Sequence, residues 1–175
     1  MCKRTFRLCA LAVLSFCLGT VAVSAQEVAT IQATANVITG LGLAGNNNLQ
    51  FGDVTPGVDK SIDKTSLAFA GEFMVTGDPL QSVTLTFDLP AALDHATVPV
   101  TLPILFYNTD ASYEDGTGGG QEFPAGEFNP AAPDPVSIGA DGTLQIWIGG
   151  TVMPNVAQIG GSYAADIMLT VALNN

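Results

Sequence analysis

The chain has 175 residues, 47% of them hydrophobic and only 12% charged, with five basic residues against 16 acidic ones. Three of the five bases, Lys3, Arg4 and Arg7, precede an apolar run at the N-terminus, so the rest of the chain sets Lys60 and Lys64 alone against every acid. Such a balance excludes ordinary binding to nucleic acid or to an anionic membrane, both of which need clustered cations.

Residues 1–25 read as a secretory signal: three bases, an apolar run, then the small-residue cleavage pattern Val23-Ser24-Ala25. The run from Cys9 to Thr20 is short for a membrane span and no basic stop-transfer cluster follows it. Phe16, before Cys17, is too bulky for a lipoprotein site, so the expected mature chain starts at Gln26 and residues 26–175 make a single domain. Cys2, Cys9 and Cys17 leave with the signal. The mature chain then holds neither a disulfide nor a thiolate metal site, and its stability must come from its core. Its expected location is secreted, periplasmic or cell-surface, with no transmembrane segment.

Two-residue alternation recurs along the chain, the pattern of strands with one buried face. Ile31, Ala33, Ala35, Val37, Leu41 and Leu43 share one parity and predict a first strand. Leu67, Phe69, Phe73 and Val75 form a second set, Val83, Leu85 and Phe87 a third, and Val98 to Phe106 a fourth. Leu144, Ile146 and Ile148 make the fifth, and Ile167, Leu169, Val171 and Leu173 the sixth. Shorter pieces at 49–51, 58–62 and 136–138 supply further edges. Turn signals such as GDVTPG (52–57), TGDP (76–79) and GADG (139–142) bound these runs. The expected fold is all-β: an Ig-like antiparallel β-sandwich of seven to nine strands with Greek-key connections.

Gly40, Gly42 and Gly45 have the spacing of a dinucleotide-binding fingerprint, which works only where a helix starts after a strand. Here Asn46-Asn47-Asn48 follow, then another short apolar run, so no cofactor site is expected. GGSYA (160–164) approaches a nucleophile elbow, but an alternating strand follows it, which makes Ser162 a turn residue. The sole histidine, His95, adjoins Asp94, and neighbours on an extended segment point apart, which is poor geometry for acid-oriented base chemistry. Trp147 sits between Ile146 and Ile148 on the opposite parity, either as a sugar-stacking platform or, in the favoured reading, as packing.

The longest connection, Asn108 to Pro135, is rich in glycine, proline and acid. Asp110, Glu114, Asp115 and Glu122 are hard oxygen donors there and the candidate calcium ligands, although their spacing is neither that of an EF-hand nor that of a calcium β-roll. The alternative for these residues is a solvated acidic loop.

Three segments carry a resemblance: LQFGDVTPG (49–57), GEFMVTGDPLQSVTLTFDLP (71–90) and the stretch from Asp141 to Asn174. Leu49-Gln50-Phe51-Gly52, Pro56-Gly57, Phe73-Met74-Val75-Thr76-Gly77, and Gly149-Gly150-Thr151 through Gly161-Ser162-Tyr163 resemble the motifs of the bacterial secreted family called domain of unknown function 4402. That family is in turn similar to spore-coat and fimbrial (pilin-like) subunit sandwiches. The resemblance implies a surface or matrix role and carries over no catalytic residue. Ala172-Leu173 departs from it where an aromatic often closes the last strand.

The expected function is a secreted, non-catalytic structural or adhesive component of the bacterial envelope or extracellular matrix, not an enzyme. Its expected partners are envelope or matrix proteins or glycans, with self-association through side-chain surfaces or edge strands. The alternative is a glycan- or calcium-binding module built on the acidic 108–135 loop. Only Gln26 to Thr30 precede the first alternation, so a self-complete sandwich that folds as a monomer is expected rather than one completed by a neighbour's strand.

Overall fold

A computed structural model describes Gln32 and residues 40–174. The expected signal peptide, the expected start at Gln26 and Ile31, Ala33, Ala35 and Val37 of the expected first strand lie outside the described residues. Residues 40–174 belong to one unit.

The described chain contains strands and turns only: β1 (Gly42–Asn47), β2 (Lys60–Ile62), β3 (Gly71–Thr76), β4 (Ser82–Asp88), β5 (Ala92–His95), β6 (Thr101–Leu105) and β7 (Ala111–Glu114) come first. Then follow β8 (Gly126–Phe128), β9 (Asp134–Ser137), β10 (Thr143–Ile148), β11 (Gly150–Val152), β12 (Tyr163–Ala164) and β13 (Met168–Leu173). Every pairing is antiparallel. The fold is all-β as expected, but its 13 strands exceed the seven to nine read from the sequence.

The sheet β1-β3-β10-β7-β8 and the sheet β13-β4-β9 share one core. Val75, Leu144, Ile146, Ala111 and Phe128 from the first pack with Val83, Leu85, Val136 and Leu169 from the second. Two antiparallel sheets closed over a common apolar layer are a β-sandwich. Strand register explains the layer: Ile146 pairs with Phe73 on one side and Tyr113 on the other, so one face of the five-stranded sheet is apolar throughout. Fully burying each of Leu144, Ile146 and Ile148 stabilises the fold by about 1.5–3 kcal/mol.

The third sheet, β12-β5-β6-β11-β2, carries a second cluster of Leu102, Ile104 and Val152, with Leu93, Phe51 and Tyr163 against it. β10 and β11 are separated only by Gly149, where the chain passes from one sheet to the other. A Cβ on Gly149 would fall on the Ile62 carbonyl oxygen and lie 2.8 Å from the Lys64 nitrogen, so the crossing requires glycine.

Within the described residues the first strand starts at Gly42, and Leu43 is exposed. Three expectations are corrected. Leu67 and Phe69 do not extend β3: Ser66 accepts the amides of Phe69 and Ala70 in a tight turn that leaves both side chains exposed. Val98 lies in the β5–β6 turn, and Leu49–Phe51 forms no strand but leans on the second cluster. The glycine-rich stretch 40–45 leads into β1 and not into a helix.

Candidate functional site

The 108–135 segment is more ordered than its composition suggests, because it contains β7, β8 and the start of β9. Ala111 pairs with Phe128 and Tyr113 with Gly126, so the inward positions are apolar. The opposite parity carries Ser112, Glu114 and Glu127, and Ser112 and Glu114 are buried as well, so burial on β7 does not follow the hydrophobicity of its residues.

Glu114 ends β7 and turns its carboxylate into the loop that follows. Its Oε1 accepts the amides of Gly116 at 2.7 Å and Gly118 at 2.8 Å, and its Oε2 accepts that of Gly120 at 3.1 Å. The loop closes tightly on this group: a Cβ on Gly118 would meet Glu114 Oε2 and the Phe123 carbonyl oxygen. Asp115 Oδ1 accepts both the amide and the hydroxyl of Thr117, at 3.0 and 2.5 Å. Asp110 Oδ2 accepts the Tyr107 amide at 2.8 Å, and Glu122 is exposed. The four candidate calcium ligands are therefore not drawn together. Among the described residues, no group of three or more His, Cys, Asp or Glu is placed to hold a metal ion.

The bonding of Asp115 recurs. Asp63 Oδ1 accepts the amide and hydroxyl of Thr65 at 2.8 and 2.7 Å, and Asp141 Oδ1 accepts both from Thr143 at 2.9 Å. Three of the four Asp-x-Thr triplets in the sequence are thus closed Asx turns. The bonds from Thr65 hold Asp63 below the ordinary carboxylate range, and those from Thr143 do the same for Asp141. Asp134 departs the other way, raised by burial, and burial together with the nearby Asp115 and Asp134 carboxylates raises the Tyr113 phenol. The Asp-x-Thr spacing was the signal in the sequence that could have identified these turns.

His95 closes β5. Its Nδ1 accepts the amides of Thr97 at 3.1 Å and Val98 at 3.3 Å, which places the ring proton on Nε2, facing the Gly160 carbonyl oxygen at 3.3 Å. The ring meets Tyr163 edge-on at 4.9 Å. Asp94 and His95 pair with different residues of β12, Ala164 and Tyr163. Ser162 is an exposed loop residue whose carbonyl accepts the Ala96 amide, and β12, not a helix, follows it. Trp147 is 3% exposed between Glu72 and Ser112 in the register, so its indole packs and is closed to stacking ligands.

A cleft of about 960 Å³ opens where the first and third sheets meet. Ile148, Leu102 and Ile104 close its floor; Asn47 to Val54 form one wall and Gln158 to Ile167 the other. Tyr163 is fixed in that second wall: its hydroxyl donates to the Ile159 carbonyl oxygen at 2.6 Å and accepts from Gln158 Nε2 at 2.7 Å. The fourth Asp-x-Thr triplet begins with Asp53, which lines this cleft. Its walls lie more than 100 residues apart in the sequence, and no local pattern announces them.

Comparison of the chain with family models gives no match. Comparison with curated proteins gives none either.

Proposed function

We propose that the protein is a secreted, non-catalytic Ig-like sandwich with Greek-key connections, acting as a structural or adhesive component of the bacterial envelope or extracellular matrix. The observation that carries this reading is the use made of its ionisable side chains. Asp63, Asp110, Glu114, Asp115 and Asp141 accept amides from residues no more than six positions away, so the carboxylates serve as loop staples. The sole histidine is spent on its own turn in the same manner. Each of these groups commits at least one oxygen or ring nitrogen to the backbone of its own turn. The motif resemblance to domain of unknown function 4402 supports the same surface role.

Fractionation of the native source tests the proposal. Retention in the envelope or in an insoluble matrix, with no turnover across an ester and glycoside panel, is the expected result. Recovery only from the cytoplasm, or turnover on that panel, would reject it.

A further inference from the structure

The cleft between the two clusters differs from the rest of the acidic surface in its chemistry. Asn47, Asn48 and Gln50 place three carboxamide residues along one wall, Asp53 and Asp166 add two acidic residues, and Gln158 is spent on Thr101, Tyr163 and Asn155 within the other wall. No lysine, arginine or histidine lines it. Lys60 Nζ stands behind the wall, donating to the Asp53 carbonyl oxygen at 2.8 Å, and the two acidic residues outnumber it, so the net charge at the cleft opposes anionic ligands.

A carboxamide offers a donor and an acceptor on one planar group, and a carboxylate accepts two hydrogen bonds side by side. Hydroxyl groups, each both donor and acceptor, match that set; an acyl chain would leave it unpaired. The apolar contribution fits the same ligand. Leu102, Ile104 and Ile148 are almost wholly covered, while the aromatic residues Phe51 and Tyr163 line the sides. Sugar rings present C–H faces to such aromatic surfaces and hydroxyls around their rims. The walls are also set in advance: Asn47 Nδ2 is bound to the Ala70 carbonyl oxygen at 3.0 Å, and Gln158 Nε2 to both Tyr163 and the Thr101 carbonyl oxygen. Side chains held this way lose little entropy on binding. At about 960 Å³ the volume stands at the upper end of small-ligand sites, room for several linked rings.

We infer that this cleft binds a neutral oligosaccharide. The site is distinct from the acidic 108–135 loop and does not depend on whether the chain is structural or adhesive in its native setting.

The test titrates the full chain with cellotetraose, mannotetraose, tetra-N-acetylchitotetraose and, as the acidic comparison, oligogalacturonate, followed by amide chemical shifts and calorimetry. At least one neutral oligosaccharide is expected to shift residues 47–53 and 158–166 together. The double variant Asn48→Ala/Gln50→Ala, at two exposed positions, should weaken that binding at least tenfold with the melting temperature retained. Glu122→Gln, at an exposed position outside the cleft, is expected to bind as the natural chain does, which shows that the loss is specific to the cleft wall. Absence of shifts with every neutral probe, preference for the acidic one, or binding unchanged in the double variant would overturn the inference.

Discussion

Lys64 Nζ lies 2.9 Å from Glu127 Oε1, an ion pair in which the lysine is buried and the glutamate is half exposed. The same segment is held from its backbone, because Gln121 Nε2 donates to the carbonyl oxygens of Lys64 and Ser66. The turn after β2 is thereby tied to the 108–135 segment. Removing one partner of a covered pair costs more than the pair contributes, and solvent at Glu127 moderates the penalty. Glu127→Ala should cost about 1 kcal/mol in urea unfolding, and adding Lys64→Met should recover most of it, which the two denaturation midpoints measure.

Glu114→Gln leaves one oxygen where two now accept three amides. A loss of about 1.5–3 kcal/mol is expected, the scale for hydrogen bonds to a charged group. Faster amide exchange at Gly116, Gly118 and Gly120, with β10 unaffected, is the local readout.

Leu80 has φ of 62°, the left-handed region, and its side chain is 71% exposed. Its amide is held by the Ile138 carbonyl oxygen at 3.1 Å, which fixes the backbone in that shape. Leu80→Gly removes a steric cost of about 1–2 kcal/mol and gives up little burial. The variant is expected to melt at a higher temperature than the natural chain.

Phe73 and Phe87 meet edge-on with centroids 5.8 Å apart, from strands in the two facing sheets. Each partly buried ring replaced by Ala should cost about 3 kcal/mol. The double-mutant cycle should show a coupling of about 0.5–1.5 kcal/mol between them. Single losses below about 1 kcal/mol would contradict the packing.

Acid stability follows from the Asx turns. Asp63 and Asp141 are held below their ordinary value of 3.8, so their contribution is complete above that value and is lost as pH falls through the lower folded one. Asp134 has the opposite sign: its value is raised by burial, so it contributes at low pH and the contribution disappears as pH rises through the raised value. Asp63→Asn/Asp141→Asn keeps an amide acceptor at each turn but removes the titration. Urea stability of that variant should fall less steeply than that of the natural chain from about pH 5 to pH 1.

Where the sequence alternated against a single buried face, the strands were legible: Leu144, Ile146 and Ile148 on β10 and Val83 and Leu85 on β4 are all fully buried. The parity failed at Leu67 and Phe69, where apolar spacing continued through a turn closed by backbone bonds that hydrophobicity does not register. It also missed β7 and β8, where Ser112 and Glu114 are polar yet buried and the apolar parity includes the small Ala111 and Gly126. Trp147 broke the rule from the other side, because a residue on the outward parity of β10 is covered as well. The acidic ligands proposed from the 108–135 segment were legible as residues but not as bonds, since Asp110, Glu114 and Asp115 accept amides of their own turns. The cleft was invisible because it is made by the approach of two distant segments.

Gly149 gives the molecule a load path. The run from Thr143 to Val152 is a single stiff spar that threads two sheets, gripped by β3 and β7 before the glycine and by β6 and β2 after it. Tension on either sheet reaches the other through this spar, and the ladders on both sides of it must shear before the layers can separate. A protein anchored in a wall or matrix that is pulled and sheared would yield last along this line.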